Sequence, residues 1–155
     1  MSQSTTAPDS VAREVRDACL CLAAQRASRR LARHFDRAFQ PVGLTSWQFS
    51  LMVALVGLGA TRIGQLAEFL AMDRTTLTAA LKVLTRQGLV AAVADAKDGR
   101  ARQIALTEAG SDKVLAAVEI WRREHGAIEV QMADGHARQL RDLLTELAML
   151  PAMKD

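Results

Sequence analysis

Basic and hydroxyl-bearing side chains are concentrated in residues 74–102 of this 155-residue chain. Guanidinium, ammonium and hydroxyl groups are the ones that bind the phosphates and the base edges of DNA. Their spacing predicts that they lie on one helix and one hairpin, where they could act together. The candidate nucleic-acid-binding residues are Arg74, Thr75, Thr76, Thr78, Lys82, Lys97, Arg100 and Arg102.

Two short helices joined by a tight turn are predicted to position the first five of these residues. Apolar residues at helical spacing predict one helix over residues 63–70. Ala71 and Met72 form the connection, and Asp73 is a suitable N-cap for the second helix, because its carboxylate can accept free backbone N–H groups. Gly88 is expected to end that helix as a C-cap. In such a helix–turn–helix, the N-terminal residues of the second helix reach base edges in the major groove.

A β-hairpin is predicted directly after the second helix. Residues 89–93 form a plausible strand, residues 95–99 are typical of a turn, and residues 102–106 form a return strand. Lys97 and Arg100 therefore lie near the hairpin tip. A narrow minor groove concentrates negative potential and attracts an inserted arginine. A helix–turn–helix followed by such a hairpin is a winged helix.

Long amphipathic helices are predicted on both sides of this winged helix. The absence of glycine and proline from residue 11 to residue 39 predicts one continuous helix, and leucines between residues 140 and 150 form an apolar stripe on the last one. Thr45 and Gln48 form a capping-box signature for the helix between. We therefore expect a disordered tail over residues 1–10 and a single domain over residues 11–155, with long helices over residues 11–44 and 111–155 around a winged-helix core over residues 45–110.

The motifs resemble those of the MarR-type transcriptional regulators. The resemblance covers the chain from about residue 11 to its end. It rests on Asp73-Arg74-Thr75-Thr76-Leu77-Thr78 in the second helix, Gln87-Gly88-Leu89-Val90 before the wing, Asp95-x-x-Asp98-x-Arg100 within it, and Leu106-Thr107-Glu108-Ala109-Gly110 after it.

The resemblance implies a mainly α fold with a small β wing, in which the first and last helices form a homodimer. It also implies sequence-specific binding of double-stranded DNA at a palindromic operator. Repression that a small, often aromatic or phenolic effector relieves is the expected mode of action, without enzymatic activity or a cofactor. The resemblance implies an effector crevice between the dimer helices and the core. For each candidate wall residue, a place in the ordinary core is the favoured interpretation: His34, Phe35, Trp47, Phe49 and Met52.

Two cysteines, Cys19 and Cys21, lie in the predicted first helix. Their side chains should diverge by about 200°, which disfavours a disulfide between them. One interpretation is that both are buried free thiols. The other comes from peroxide-sensing relatives in the OhrR group, because Cys21 matches the position of their reactive cysteine. Those sensors support the thiolate with tyrosine hydroxyls. This chain has no tyrosine, and Phe35 and Gln25 occupy the corresponding positions. A thiol-based redox regulator acting through Cys21 stays the alternative.

Other classes of protein have less support. No apolar run is long enough for a transmembrane helix, and the N-terminus lacks the apolar region of a secretory signal, so we expect a cytoplasmic protein with no membrane partner and with reduced cysteines. His34, His125 and His136 do not have metal-ligand spacing, so no metal site is predicted. The chain carries no phosphate loop or nucleophile motif. A helical interaction protein that does not bind DNA is the main alternative from another class.

Overall fold

The computed structural model describes residues 8–95 and 101–150 of the chain. Within those residues the chain forms a helical protein with one small antiparallel sheet, as the sequence predicts. The element order is α1 (Pro8–Ala18), α2 (Leu20–Ala38), a 3-10 helix (Gln40–Val42), α3 (Ser46–Leu58), α4 (Ile63–Phe69), α5 (Arg74–Arg86), β1 (Val90–Ala94), β2 (Arg102–Leu106), α6 (Glu108–Glu129) and α7 (His136–Met149). In the part of the chain described here, no helix is both long and apolar enough to cross a membrane.

The core lies between α3, α4, α5, α6 and the start of the sheet. Leu77, Leu81 and Leu84 of α5 are all buried, as expected for apolar residues at the helical spacing i, i+4, i+7. They pack in one apolar cluster with Met52 of α3 and Leu66 of α4, which are fully buried. Burial of one such side chain contributes about 1.5–3 kcal/mol, so this cluster holds α5 against the rest of the domain.

The start of α3 is fixed by three hydrogen bonds. The predicted capping box is confirmed: Thr45 Oγ1 accepts from the backbone N of Gln48 at 3.2 Å, and Gln48 Oε1 accepts from the backbone N of Thr45 at 2.9 Å. Asp36 Oδ1 of α2 also accepts from the backbone N of Ser46 at 2.7 Å. These bonds satisfy N–H groups that have no partner within the helix, and the bond from Ser46 ties α3 to α2.

The wing pairs β1 with β2 in antiparallel register, from Val90 opposite Leu106 to Ala94 opposite Arg102. Thr61, just before α4, exchanges two backbone hydrogen bonds with Ile104, with N···O distances of 2.8 and 3.0 Å. The wing is therefore attached to the helix–turn–helix along one edge. The predicted turn over residues 95–99 lies mostly outside the described residues, as do Lys97 and Arg100.

The N-terminal helix differs from the prediction. The expected continuous helix over residues 11–39 is wrong, because α1 already begins at Pro8 and ends at Ala18, and α2 begins at Leu20. Cys19 between them has an extended backbone, with φ −78° and ψ 108°, and its Sγ accepts from the backbone N of Leu22 at 3.3 Å. The cysteine thus acts as the N-cap of a new helix, and the absence of glycine and proline does not exclude such a break.

The junction between the wing and α6 is tightly packed. Thr107 is the N-cap of α6, and its Oγ1 accepts from the backbone N of Gly110 at 3.0 Å while donating to the carbonyl oxygen of Gly88 at 2.6 Å. The backbone N of Thr107 donates to the carbonyl oxygen of Leu89 at 3.1 Å. A Cβ on Gly110 would overlap that same carbonyl oxygen. Glycine is therefore required at Gly110 by the close approach of two backbones.

We expect Gly110→Ala to lower the free energy of unfolding by about 1–3 kcal/mol, because the added methyl must displace backbone atoms in a packed core. Gly126→Ala is the matched control on the same helix, since a Cβ there meets nothing within 4 Å. Denaturant unfolding at one fixed protein concentration measures both. Equal stability of the two variants would contradict this account of the junction.

Candidate nucleic-acid interface

The exposed start of α5 is built around Asp73. Its Oδ1 accepts from the backbone N of Thr76 at 2.8 Å, which confirms the predicted N-cap. Hydrogen bonds from the side chain and then from the backbone N–H of Thr76 hold the pKa of the Asp73 carboxyl below its usual range. The cap therefore stays charged at neutral pH. It leaves Arg74, Thr75 and Thr76 exposed on the first turn of the helix.

Two further predicted residues follow on the same helix. Thr78 is half-buried, and its Oγ1 donates to the carbonyl oxygen of Arg74 at 2.6 Å. Because the hydroxyl proton of Thr78 already forms a hydrogen bond to the helix backbone, its methyl group and oxygen lone pairs are left for another contact. Lys82 is exposed one turn further along. The helix presents a row of polar groups at a spacing of four residues, which places them on one face.

The wing is held in place by an ion pair that local sequence patterns do not indicate. Asp95, at the end of β1, is 8% exposed. Its Oδ2 accepts from Arg62 through Nε at 3.2 Å and Nη2 at 2.8 Å. Arg62 immediately precedes α4 and lies 33 residues away in the sequence, so no short spacing could have pointed to the pair. Together with the exposed Arg102 on β2, this end of the wing lies beside the helix–turn–helix.

The predicted effector-pocket residues lie in different surroundings among the described residues. Phe35, Phe39 and Phe49 form an aromatic column, with ring centroids 5.6 and 4.7 Å apart, and Phe49 and Met52 are buried in the core. His34 packs edge-on against Phe35 in this column, and its Nε2 lies 3.1 Å from Glu124 Oε2. For Phe49 and Met52, the alternative of ordinary core residues fits the structure.

Trp47 instead faces a groove between α3 and α5. This groove has a volume of about 140 Å³, and its walls are mostly apolar. The lining residues are Thr45, Trp47, Gln48, Leu51, Ala80, Val83 and Leu84. Residues of α5 form one wall, so a molecule bound in the groove would contact the helix that carries the candidate DNA-binding residues. Sequence analysis placed Trp47 in the candidate pocket but missed the α5 wall, because helix packing is not visible in local spacing.

The two cysteines differ in exposure. Cys19 is half-buried and Cys21 is exposed, so the interpretation of both as buried thiols does not hold within one chain. Cys21 Sγ accepts from Gln25 Nε2 at 3.2 Å. Across the described residues, no three His, Cys, Asp or Glu side chains are grouped closely enough to hold a metal ion.

A buried leucine core, a capped second helix and an attached wing define a winged-helix transcriptional regulator that binds DNA. A model of the MarR family matches residues 42–101. The structure also resembles the Mycobacterium tuberculosis transcriptional regulator MosR, crystallised in complex with DNA, with 35% identity, coverage of 84% of this chain and 93% of that one, and a TM-score of 0.73. The chain belongs to the MarR family, whose members are transcriptional regulators and not enzymes.

Two other relatives show the range of this similarity. The transcriptional activatory protein BadR of Rhodopseudomonas palustris is 36% identical over 90 residues, which are 54% of this chain and 51% of that protein. This chain therefore spans about half the length of that relative. CouR of Rhodococcus jostii, crystallised with p-coumaroyl-CoA, shares the fold at 22% identity, with coverage of 86% and 94% of the two chains and a TM-score of 0.74.

We expect Asp95→Asn to weaken DNA binding roughly fivefold or more, because a misplaced wing no longer makes a DNA contact that contributes about 1–3 kcal/mol. The substitution removes a negative charge, so electrostatics alone would strengthen binding to a polyanion. A binding titration at fixed salt therefore separates the two effects. Asp142→Asn on α7 is the control for the change in charge, and tighter binding by Asp95→Asn would contradict a positioning role for the ion pair.

Proposed function

We propose that this protein is a homodimeric repressor that binds a palindromic operator. A small-molecule effector then releases the repressor from that DNA. The observation that carries the proposal is the exposed first turn of α5, which Asp73 caps. Such a helix start fits the major groove, where N-terminal residues of a recognition helix contact base edges. The crystallisation of the M. tuberculosis relative with DNA supports a DNA-binding function. A cytoplasmic location follows from the proposal, since the operator is there.

The candidate side chains have distinct proposed roles. Arg74 can form paired hydrogen bonds to guanine or bind a phosphate, and the methyl groups of Thr75, Thr76 and Thr78 can contact thymine methyl groups. Lys82 lies further from the helix start and is suited to a phosphate. Arg102 on β2 is proposed to contact the DNA backbone beside the minor groove, together with the two wing cations predicted from the sequence, Lys97 and Arg100.

The dimer proposal rests on apolar faces of the flanking helices that the described residues of one chain leave exposed. None of α1, α2 and α7 contains a buried residue, although each is amphipathic. Apolar faces of this extent are rare on monomeric proteins in water. A two-fold dimer through these helices would place two α5 helices about one DNA turn, roughly 34 Å, apart. The exposed apolar residues on the flanking helices include Val11, Val15, Leu20, Leu31, Trp121, Val130, Leu140, Leu143, Leu144, Met149 and Leu150.

We expect Leu144→Glu to shift the protein from dimer to monomer, because it introduces a charge into the apolar stripe of α7. Thr145→Glu places the same charge on a different face of the same helix and should leave the dimer intact. Sedimentation velocity over a range of protein concentrations distinguishes the two species. A wild-type protein that sediments as a monomer, or two variants that behave alike, would overturn this interface.

The effector proposal uses the groove between α3 and α5. A volume of about 140 Å³ is close to that of a cavity that holds benzene, roughly 150 Å³, so a single aromatic ring fits. The ligand-bound form of CouR supports small-molecule control in this fold. A bound ligand changes DNA affinity only through different affinities for the two arrangements of the protein. Because Ala80 and Val83 of α5 line the groove, a ring held there can favour one position of α5.

A redox-controlled regulator is the second candidate. The observation that favours it is the exposure of Cys21 together with the position of Cys19 as the N-cap of α2. Oxidation of either thiol would change side chains at the break between α1 and α2, next to the proposed dimer surface. Thiol oxidation follows exposure and thiolate character, so an exposed cysteine satisfies one of the two requirements.

The experiment that tests the proposal is a titration of the purified protein against its own upstream DNA. We expect specific binding that weakens as salt rises, and Lys82→Ala should reduce the slope of log affinity against log salt by about one. Arg122→Ala on α6 is the matched control and should leave the slope unchanged. The absence of specific binding would contradict the proposed function, and an unchanged slope for Lys82→Ala would contradict its phosphate contact.

The same titration decides between the two modes of control. Benzoate should weaken operator binding by the wild type and have less effect on Trp47→Ala, whereas an organic hydroperoxide should leave both unaffected. Loss of binding with hydroperoxide that thiol restores, and that Cys21→Ser abolishes, would favour the redox candidate instead. A promoter–reporter assay tests the sign of regulation, and expression that falls when the gene is deleted would show activation.

A further inference from the structure

The guanidinium of Arg74 lies directly over Gly64 of α4. A Cβ built on Gly64 would be 3.0 Å from Nη2, 3.5 Å from Cζ and 3.6 Å from Nε of Arg74. Three atoms of the planar group therefore face the position that a side chain would occupy. The first of these distances is shorter than an ordinary van der Waals contact, so the guanidinium must shift by a few tenths of an ångström to admit a Cβ.

The backbone does not explain the glycine at this position. Gly64 lies inside α4 and does not belong to the glycines with positive φ. Glycine is also less favourable than alanine in a helix, because it loses more conformational freedom on folding. The three atoms nearest to a Cβ built at Gly64 all belong to Arg74, so Arg74 is the neighbour that a side chain there would disturb.

The guanidinium is also available for binding. Among the described residues, no carboxylate or carbonyl group accepts a hydrogen bond from the Arg74 side chain, although an arginine carries five N–H donors. A long exposed side chain without partners samples many rotamers, and it loses that freedom when it binds. A guanidinium that rests in the space left open by Gly64 samples fewer rotamers, while its donors stay available.

We propose that Gly64 is a positioning residue that sets the place of the Arg74 guanidinium for DNA recognition. The inference rests on the proposed DNA contact of Arg74. Without a Cβ, α4 provides a flat surface against which the guanidinium packs, so that it reaches the DNA from one fixed direction. A side chain at this position moves the guanidinium outward, by an amount that increases with the size of the side chain.

The test is a series of variants measured for operator affinity and for thermal stability. We expect Gly64→Ala to weaken operator binding roughly threefold to tenfold and Gly64→Leu to weaken it further, since a displaced arginine makes only part of its contact with the DNA. The melting temperature should not fall, because both residues favour a helix more than glycine does. Gly57→Ala and Gly57→Leu in α3 are the matched controls, since a Cβ at Gly57 meets nothing within 4 Å.

A double-mutant cycle with Arg74→Ala decides whether the effect acts through the arginine. If the inference holds, Gly64→Ala causes no further loss of affinity once Arg74 has been removed. The inference is overturned if Gly64→Ala lowers operator affinity equally in the wild-type and the Arg74→Ala backgrounds. It is also overturned if the Gly64 variants bind like the wild type although Arg74→Ala alone binds weakly. If Arg74→Ala binds the operator as tightly as the wild type, the proposed DNA contact of Arg74 is refuted, and the inference fails with it.

Discussion

The close backbone approach between Gly110 and Leu89 is the constraint on which the winged helix depends. At this point α5 has just ended, the wing begins, and α6 starts after the return strand. Thr107 bonds to both sides of the junction, through the carbonyl of Gly88 and the backbone N of Gly110. Because there is no room for a Cβ at Gly110, the three elements hold one relative position. These contacts act together with the buried leucines of α5 and the ion pair of Arg62 with Asp95 to hold the direction of α5 relative to the wing.

The surface for DNA follows from that fixed frame. Asp73 holds the first turn of α5, the backbone pairing of Thr61 with Ile104 attaches the wing, and the ion pair of Arg62 with Asp95 holds its far end. Each of these contacts is local to the helix–turn–helix and wing. The long helices contribute differently, because their exposed apolar faces form the proposed dimer interface, and two-fold symmetry would then set the distance between two such surfaces. In the proposed dimer, recognition within one half-site and spacing between half-sites depend on separate parts of the chain.

Much of this frame could be predicted from the sequence, because it is encoded over short distances. The cap at Asp73, the capping box of Thr45 and Gln48 and the buried leucines of α5 all follow from spacings of three or four residues, and the structure confirms them. The return strand at Arg102–Leu106 also matches its prediction. The break at Cys19 was missed because the chain there carries no glycine or proline, and a cysteine sulfur rarely serves as a cap. The ion pair of Arg62 with Asp95 and the groove beside Trp47 were missed since both join residues far apart in the chain.

The central claim is that two copies of α5 recognise a two-fold symmetric DNA site. A hydroxyl-radical footprint of the wild-type protein on its own upstream DNA measures this most directly. The account predicts two protected segments whose centres are about one helical turn, roughly 10 base pairs, apart, with a symmetric sequence between them. Protection of a single segment, or a uniform weak protection that follows no sequence, would contradict it.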